Sequence, residues 1–115
     1  MGRTIKVMDD NGTYYILVSI IMYALGTKNG SRVYCKGGKD YHCPLSVRNF
    51  ILKYVGLGFH KIHKSTLINI NHVKKRTVFK VEIVTMFNKV KLVVSVRRQK
   101  DFVKLKIRSW LGLGQ

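Results

Sequence analysis

Two histidines, two lysines, a serine and an asparagine are interspersed with apolar side chains in the segment GFHKIHKSTLINI, residues 58–70. Residue types of this kind could bind a metal ion, supply a His–Ser catalytic pair, or present cations to an anionic partner. Zinc sites usually show short paired spacings of Cys or His at both ends of the site. This segment offers only His60 and His63, which would face opposite sides of a strand. We therefore expect no metal site and no cofactor.

A catalytic pairing of His63 with Ser65 lacks the other groups that such a site needs. No carboxylate stands nearby in the sequence to orient the imidazole, and no glycine-flanked serine elbow is present. The whole chain has only 5 acidic residues and no G-x-x-x-x-G-K-[ST] phosphate-binding loop. The sequence therefore predicts that the protein is not an enzyme.

The charge of the chain favours an anionic partner. Its 115 residues include 22 Lys+Arg against 5 Asp+Glu, a formal net charge of +17. Such an excess repels itself within a compact fold, and nucleic acid is the partner that best balances it, followed by an acidic membrane surface. The apolar segment YYILVSIIMYAL, residues 14–25, is shorter than the roughly 20 residues that span a bilayer, so no membrane span is predicted.

The elements that must position these residues are mostly strands. A composition that is 46% hydrophobic is sufficient for one packed domain over residues 1–115. Turns rich in Gly and Asn, such as DDNGT, GTKNGS and KGGKD, separate short apolar runs and indicate β-hairpins. We predict strands near residues 3–8, 14–18, 20–25, 32–36, 40–43, 59–63, 66–70, 77–84 and 89–94. Helical spacing of apolar residues predicts a short helix within residues 44–56 and a second helix within residues 95–110.

The cysteines and the paired acids have structural explanations. Cys35 and Cys43 fall in adjacent predicted strands, so their spacing leaves both a disulfide and two reduced thiols open. No signal peptide is recognisable before them, which favours reduced thiols in a cytoplasm. Asp9 and Asp10 fall in the DDNGT segment and are predicted to form a turn.

Four cations stand where packing leaves them without an internal partner. If the apolar residues of segment 58–70 pack inward, Lys61 and Lys64 point outward, with Lys64 at the turn between two strands. Arg97 and Arg98 occupy the first turn of the predicted C-terminal helix, where the helix macrodipole disfavours cations. Contact with a phosphate or a guanine would explain that placement, and simple exposure to solvent is the alternative.

The segment GFHKIHKSTLININHV, residues 58–73, resembles the core motif of the LytTR family of bacterial DNA-binding domains. The slots of that motif are occupied by Phe59, Lys61, Ile62, His63, Lys64, Ser65, Leu67, Ile68 and Asn69. The segments VSIIMYAL, PLSVRNFIL and LVVSVRRQKDF resemble the opening strand, the short helix and the closing segment of the family. The resemblance covers about residues 13–107.

The resemblance implies a mainly β fold, an elongated antiparallel β-sheet sandwich with one short internal helix and a C-terminal helix. It also implies a bacterial, cytoplasmic transcription regulator. Family members insert loop residues into successive major grooves and commonly recognise two short direct repeats about one helical turn apart, roughly 10 bp. Carried over to this sequence, the expected DNA contacts are Lys28, Asn29 and Ser31 in the TKNGS turn, Lys61 and Lys64 near the central turn, and Arg97 and Arg98.

The sequence departs from the family pattern at two positions. Ser19 stands where the family usually has an acid, and Lys64 replaces the usual Arg or Asn. Because lysine lacks the bidentate fork of arginine, Lys64 is expected to favour phosphate over a base edge. Only about a dozen residues precede the region of resemblance, so we expect a stand-alone regulator or an excised domain, without the phosphoaccepting receiver domain that most family members carry.

The remaining polar residues of the motif are expected to be structural. His63 should shape the central loop, Asn69 should satisfy backbone groups beside it, and His60 and His72 should be surface residues. Two alternatives to DNA regulation stay open at this point. One is a small basic β protein that binds RNA through aromatics on a sheet face. The other is an accessory regulator that acts through an acidic protein partner. A homodimer on DNA is also compatible with the sequence.

Overall fold

The computed structural model describes residues 2–78 and 82–94. The described elements are β1 (Thr4–Asp9), β2 (Gly12–Leu17), β3 (Ile21–Thr27), β4 (Gly30–Cys35), β5 (Asp40–Cys43), α1 (Val47–Lys53), β6 (Phe59–His63), β7 (Thr66–Asn69), β8 (Val73–Val78), β9 (Glu82–Met86) and β10 (Lys91–Val94). Short 3₁₀ turns precede β3 and β8, at Val18–Ile20 and Ile70–His72. The predicted mainly β, elongated architecture is confirmed, with principal extents of 44 × 27 × 24 Å.

The strands form two antiparallel sheets. The large sheet has the order β2-β1-β5-β4-β3-β7-β6, and the small sheet has the order β10-β9-β8. Strand β3 lies inside the large sheet, because it pairs with β4 on one side and with β7 on the other. Its first four residues, Ile21 to Ala24, are all buried. Burial on both faces explains why this part of the chain is continuously apolar and does not alternate.

The core is divided between the two faces of the large sheet. Ala24 and Leu67 belong to one buried cluster, which includes Phe50 of α1. Their neighbours along the strands, Tyr23 and Ile68, belong to a second cluster, which includes residues of β8, β9 and β10. Because successive residues of a strand point to opposite faces, α1 covers one face of the large sheet and the small sheet covers the other.

Helix α1 confirms the predicted internal helix. The Ser46 side chain caps it by accepting a hydrogen bond from the Asn49 backbone N–H at 3.1 Å. Phe50 is fully buried, and its ring packs against the rings of Tyr54 and Phe59, with centroids 5.2 and 4.9 Å away. The Tyr54 hydroxyl donates to a backbone oxygen of β1 at 3.1 Å, which ties the helix to the first strand.

One predicted strand was wrong. Residues 77–84 were expected to form a single strand, but β8 ends at Val78, β9 begins at Glu82, and these two residues pair across antiparallel strands. The apolar–polar alternation of residues 76–82 contains no Gly, Asn, Asp or Pro that would have indicated the reversal. The predicted C-terminal helix lies outside the described residues.

The cysteines are free and buried, on adjacent strands. Burial raises the pKa of the Cys35 thiol to about 11, and it raises the pKa of Cys43 as well. Both thiols are therefore protonated and unreactive at neutral pH.

At the β1–β2 turn, Asp9 accepts a hydrogen bond from the Asn11 backbone N–H at 2.8 Å, which confirms the turn-forming role of this acid. Within the described part of the chain, no helix has the length and apolar character that crossing a membrane requires.

Candidate nucleic-acid interface

Two turns lie side by side at one end of the large sheet. Lys28 and Asn29 connect β3 to β4, and Lys64 and Ser65 connect β6 to β7. Strands β3 and β7 are antiparallel neighbours, so the end of β3 lies beside the start of β7. The Gly26 backbone N–H donates to the Ser65 carbonyl oxygen at 2.7 Å, which holds the β6–β7 turn against the end of β3 and so places the two turns side by side. The side chains of Lys28, Asn29 and Lys64 are all exposed.

Two glycines make this arrangement sterically feasible. A Cβ atom at Gly26 would lie 3.1 Å from the Cβ of Ser65, so a side chain here would push the two turns apart. Gly30 has a φ of +142°, and a Cβ at this position would overlap the carbonyl oxygen of Cys43. The Asn-Gly hairpin predicted from TKNGS is therefore present, and its glycine holds β4 tightly against the end of β5.

Ser31 does not contact solvent. Its side chain is fully buried, and its hydroxyl donates to the Leu45 carbonyl oxygen at 2.8 Å. The expectation that Ser31 is a DNA contact is therefore wrong for the side chain, because the register of β4 turns this residue toward the segment that follows β5. Ser31 instead fixes the base of the turn that presents Lys28 and Asn29.

The central hairpin of the motif folds as the pattern predicted. Phe59, Ile62, Leu67 and Ile68 are buried, and Ile70 is partly buried. The pairing of β6 with β7 shifts between Lys61 and His63, where Ile62 is the extra residue. This bulge turns Ile62 into the core between the two sheets and leaves Lys61 half-buried on the strand edge. His63 and Lys64 are exposed at the tip.

Asn69 holds the large sheet together behind this hairpin. It is 1% exposed; its Nδ2 donates to the Ile21 carbonyl oxygen, and its Oδ1 accepts from the Asn71 backbone N–H, both at 3.0 Å. The prediction that Asn69 satisfies backbone groups is confirmed. His72 is partly exposed, as expected of a surface residue, and its Nε2 lies 2.8 Å from the Ser19 carbonyl oxygen. It thereby links the turn after β7 to the turn before β3.

His60 is also more enclosed than predicted. Its side chain is half-buried on β6, and burial lowers the pKa of its imidazole. Strands β6 and β7 place it opposite Ile68 rather than at the exposed hairpin tip. His60 is therefore mostly neutral at physiological pH and contributes little to the positive field of the two turns.

Asp9, Asp10 and Asp40 do not neutralise the two turns. Asp40 is paired with Arg32, with Nε and Oδ2 2.7 Å apart, and both side chains are about two-fifths exposed. Asp9 and Asp10 belong to the β1–β2 hairpin, on the opposite lateral side of the sheet from β6 and β7. The field around Lys28 and Lys64 is therefore positive and available to a phosphate.

Arg97 and Arg98 lie outside the described residues. The described chain before them ends with β10 at Val94, which is buried in the same cluster as Ile62. Ile62 lies two residues before Lys64 in the central hairpin. Val94 therefore lies in the part of the core that also contains Ile62, beneath the central hairpin.

Other kinds of site receive no support from the described residues. Within residues 2–78 and 82–94, no group of three His, Cys, Asp or Glu side chains could hold a metal ion. The exposed aromatics of this part of the chain are Tyr14 and Tyr15 on the edge strand β2 and Phe87 in the β9–β10 turn. They are dispersed and do not form the stacking platform expected of a single-strand RNA-binding sheet.

Comparisons with known proteins identify the same kind of domain. The family described as "LytTr DNA-binding domain" matches residues 11–106. Among solved structures, the chain is similar to one described as the LytTr DNA-binding domain of a methyl-accepting/DNA response regulator from Bacillus cereus. The TM-score is 0.77 at 20% sequence identity, covering 88% of this chain and 94% of that chain. No curated protein gives a significant match to the sequence. Since the family match spans most of its length, the chain belongs to the LytTR family of DNA-binding domains.

Proposed function

We propose that the protein is a sequence-specific transcription regulator that binds double-stranded DNA through the end of the large sheet that carries the two joined turns. The observation that supports this most is the hydrogen bond from the Gly26 N–H to the Ser65 carbonyl oxygen, which holds the β6–β7 turn against the end of β3, so that the two turns form one unit. Three exposed polar side chains, Lys28, Asn29 and Lys64, project from that unit. Rigid elements position reading side chains more precisely than independent loops do.

The separation of the two turns limits how they can meet DNA. In the order β4-β3-β7-β6 the centres of the two turns are two strand spacings apart, roughly 10 Å, whereas successive major grooves on one side of a duplex are about 34 Å apart. Lys28 and Lys64 therefore cannot enter successive major grooves. We assign Lys28 and Asn29 to one groove, where an asparagine can pair with adenine. Lys64 and Lys61 then contact the phosphates that border that groove.

Arg97 is the candidate for base recognition by the segment that follows β10. It follows Val94, the last described residue of β10, by three residues, a reach of at most about 10 Å. An arginine in a major groove can pair bidentately with guanine, which is the commonest base-specific contact in protein–DNA complexes. Arg98 would contact the adjacent backbone. We propose that two copies of the chain, each making these contacts, lie head-to-tail on a site made of two short direct repeats about one turn apart, roughly 10 bp.

Most of the affinity comes from the overall charge. With a net charge of +17, many cations can displace the counterions condensed on DNA. The turns then supply register and base reading on top of this nonspecific attraction. We propose the bacterial cytoplasm as the location and double-stranded DNA as the main partner, with no membrane partner and no catalytic activity.

Competition between nucleic acids tests this function directly. The full chain should prefer a mixed-sequence DNA duplex to single-stranded DNA and to an RNA hairpin of matching length, at physiological salt. Equal or stronger binding to either competitor would overturn the proposal in favour of an RNA-binding or single-strand-binding protein. Weak binding to all three, combined with tight binding to an acidic protein, would favour an accessory regulator.

A further inference from the structure

The two edges of the large sheet differ in how well they are protected against pairing with another strand. Edge strand β6 contains a bulge after Lys61, and Lys61 itself lies on it, which are two of the usual protections of an exposed edge. Edge strand β2, at the other side of the sheet, pairs with β1 in unbroken register over all of its residues. It contains no proline, no charged residue and no bulge. Within residues 2–78 and 82–94 no strand pairs with its outer side, so its free backbone groups are open to another strand.

The sequence around β2 also differs from the rest of this basic chain. No Lys or Arg occurs between Lys6 and Lys28, the longest such stretch in the sequence. Within it, β2 exposes Tyr15, Leu17 and Tyr14, which are 71%, 45% and 39% exposed. An apolar, uncharged edge on a protein with so many cations is suited to a protein contact and unsuited to DNA.

We propose that β2 is a homodimer interface, in which the β2 strands of two copies of this chain pair antiparallel about a twofold axis. The charges at the two ends of the β1–β2 hairpin determine the direction of pairing. Asp9 and Asp10 lie at its tip, and Arg3 lies beside the other end of β2, where its carbonyl oxygen accepts from the Val18 N–H at 2.8 Å. Antiparallel pairing brings the acidic tip of each copy to the end of the hairpin that carries Arg3 in the other, whose guanidinium lies over the Tyr54 ring. Parallel pairing would place the two acidic tips together.

The side chains of β2 also define a register. With Tyr15 of one copy opposite Tyr15 of the other, Thr13 faces Leu17 and Tyr14 faces Ile16 across the axis. Aromatic and aliphatic cross-strand pairs of this kind stabilise antiparallel strands. Because a twofold interface is self-complementary, one strand supplies both halves.

The dimer leaves the DNA-contacting turns free. Strands β1, β5 and β4 separate β2 from β3, whose end carries Lys28, and β7 and β6 lie beyond it. The interface does not use these turns, so either proposal can fail without the other. Because a twofold pair presents its two DNA surfaces in opposite orientations, the two copies of one dimer would not occupy the same direct repeat. An interface of one strand from each copy is small, so the dimer should be weak and concentration-dependent.

Sedimentation equilibrium of the full chain tests this interface. The wild-type protein should show a monomer–dimer equilibrium with a dissociation constant in the upper micromolar range. Tyr15→Lys should raise that constant by roughly tenfold or more, because two like charges would meet on the twofold axis. Val55→Lys is the matched control, since Val55 is 69% exposed on the segment after α1. A wild-type protein that stays monomeric throughout this range, or equal weakening by both variants, would overturn the proposal.

Cysteine cross-linking provides a second readout, because it traps even a weakly populated dimer covalently. Tyr15→Cys should form an intermolecular disulfide under mild oxidation, because the twofold axis brings the two residues together. Val55→Cys should not do so at the same rate. Cys35 and Cys43 are buried and should not react. Circular dichroism of each variant establishes that it is folded, and equal cross-linking of the two cysteine variants would contradict the proposed register.

Discussion

The Ser31→Ala variant separates a structural role from a DNA contact at a position where sequence and structure disagree. The Ser31 hydroxyl is fully buried and donates to the Leu45 carbonyl oxygen at 2.8 Å. Its removal leaves that carbonyl without this donor, which should reduce the free energy of unfolding by about 1–3 kcal/mol. In a domain of this size, each kcal/mol lowers Tm by roughly 4 °C, so we expect a decrease of roughly 4–12 °C.

Thermal unfolding followed by circular dichroism measures this decrease. Ser19→Ala is the matched control, because it makes the same substitution at an exposed side chain and leaves the carbonyl that meets His72 in place. The control should unfold within about 0.5 kcal/mol of the wild type. DNA affinity measured well below Tm should change little in either variant. An unchanged Tm in Ser31→Ala together with a large loss of DNA affinity would refute the structural role and restore Ser31 as a contact.

Four further predictions concern other parts of the molecule. Lys64→Ala should weaken binding to all duplexes alike and reduce the slope of log affinity against log salt concentration by about one unit. Lys36→Ala, in the distant β4–β5 turn, should have a smaller effect. An equal effect of both variants would remove Lys64 from the interface. Arg97→Ala should reduce the free energy of binding to the preferred site by about 1–3 kcal/mol and relax the sequence specificity at one base position. An equal loss of affinity for random DNA would make Arg97 a phosphate contact only. Gly30→Ala should destabilise the fold by about 2 kcal/mol or more, because the φ of Gly30 is +142° and a Cβ would overlap the Cys43 carbonyl oxygen. A free energy of unfolding close to that of the wild type, measured by chemical denaturation, would contradict this. Since burial lowers the pKa of His60, the folded state favours the neutral ring, and stability should fall as pH drops below about 6.5. His60→Gln should flatten that pH dependence, and an unaltered profile would exclude His60 as its source.

The hairpins and the internal helix could be predicted because short-range chemistry determines them. Asn-Gly and Gly-Gly segments indicated the turns around β3, β4 and β5, and the spacing of apolar residues indicated α1. The central hairpin was also predictable, because packing Ile62 and Leu67 inward places Lys64 at the turn between the two strands. The family resemblance then supplied the function that composition alone left open between several anionic partners.

Other features depend on contacts between distant segments, which local patterns do not encode. The burial of Ser31 depends on Leu45, 14 residues away, and the Asn69 hydrogen bond reaches Ile21, 48 residues away. The placement of β7 beside β3 joins the two turns through Gly26, although nothing in the sequence near that glycine identifies its partner. The reversal between β8 and β9 was missed because the residues around it continue a strand-like alternation.

Selection from a random duplex library at physiological salt tests the central claim most directly. The full chain is used for selection, and its affinity for the selected duplex is then compared with that for a scrambled duplex over a range of salt concentrations. We predict enrichment of a short direct repeat about one helical turn apart, roughly 10 bp, with a preference over the scramble that persists as salt rises. If no sequence is enriched and binding to all duplexes collapses equally with salt, the charge acts only as a generic anchor, and the account of the two joined turns as a reading surface is contradicted.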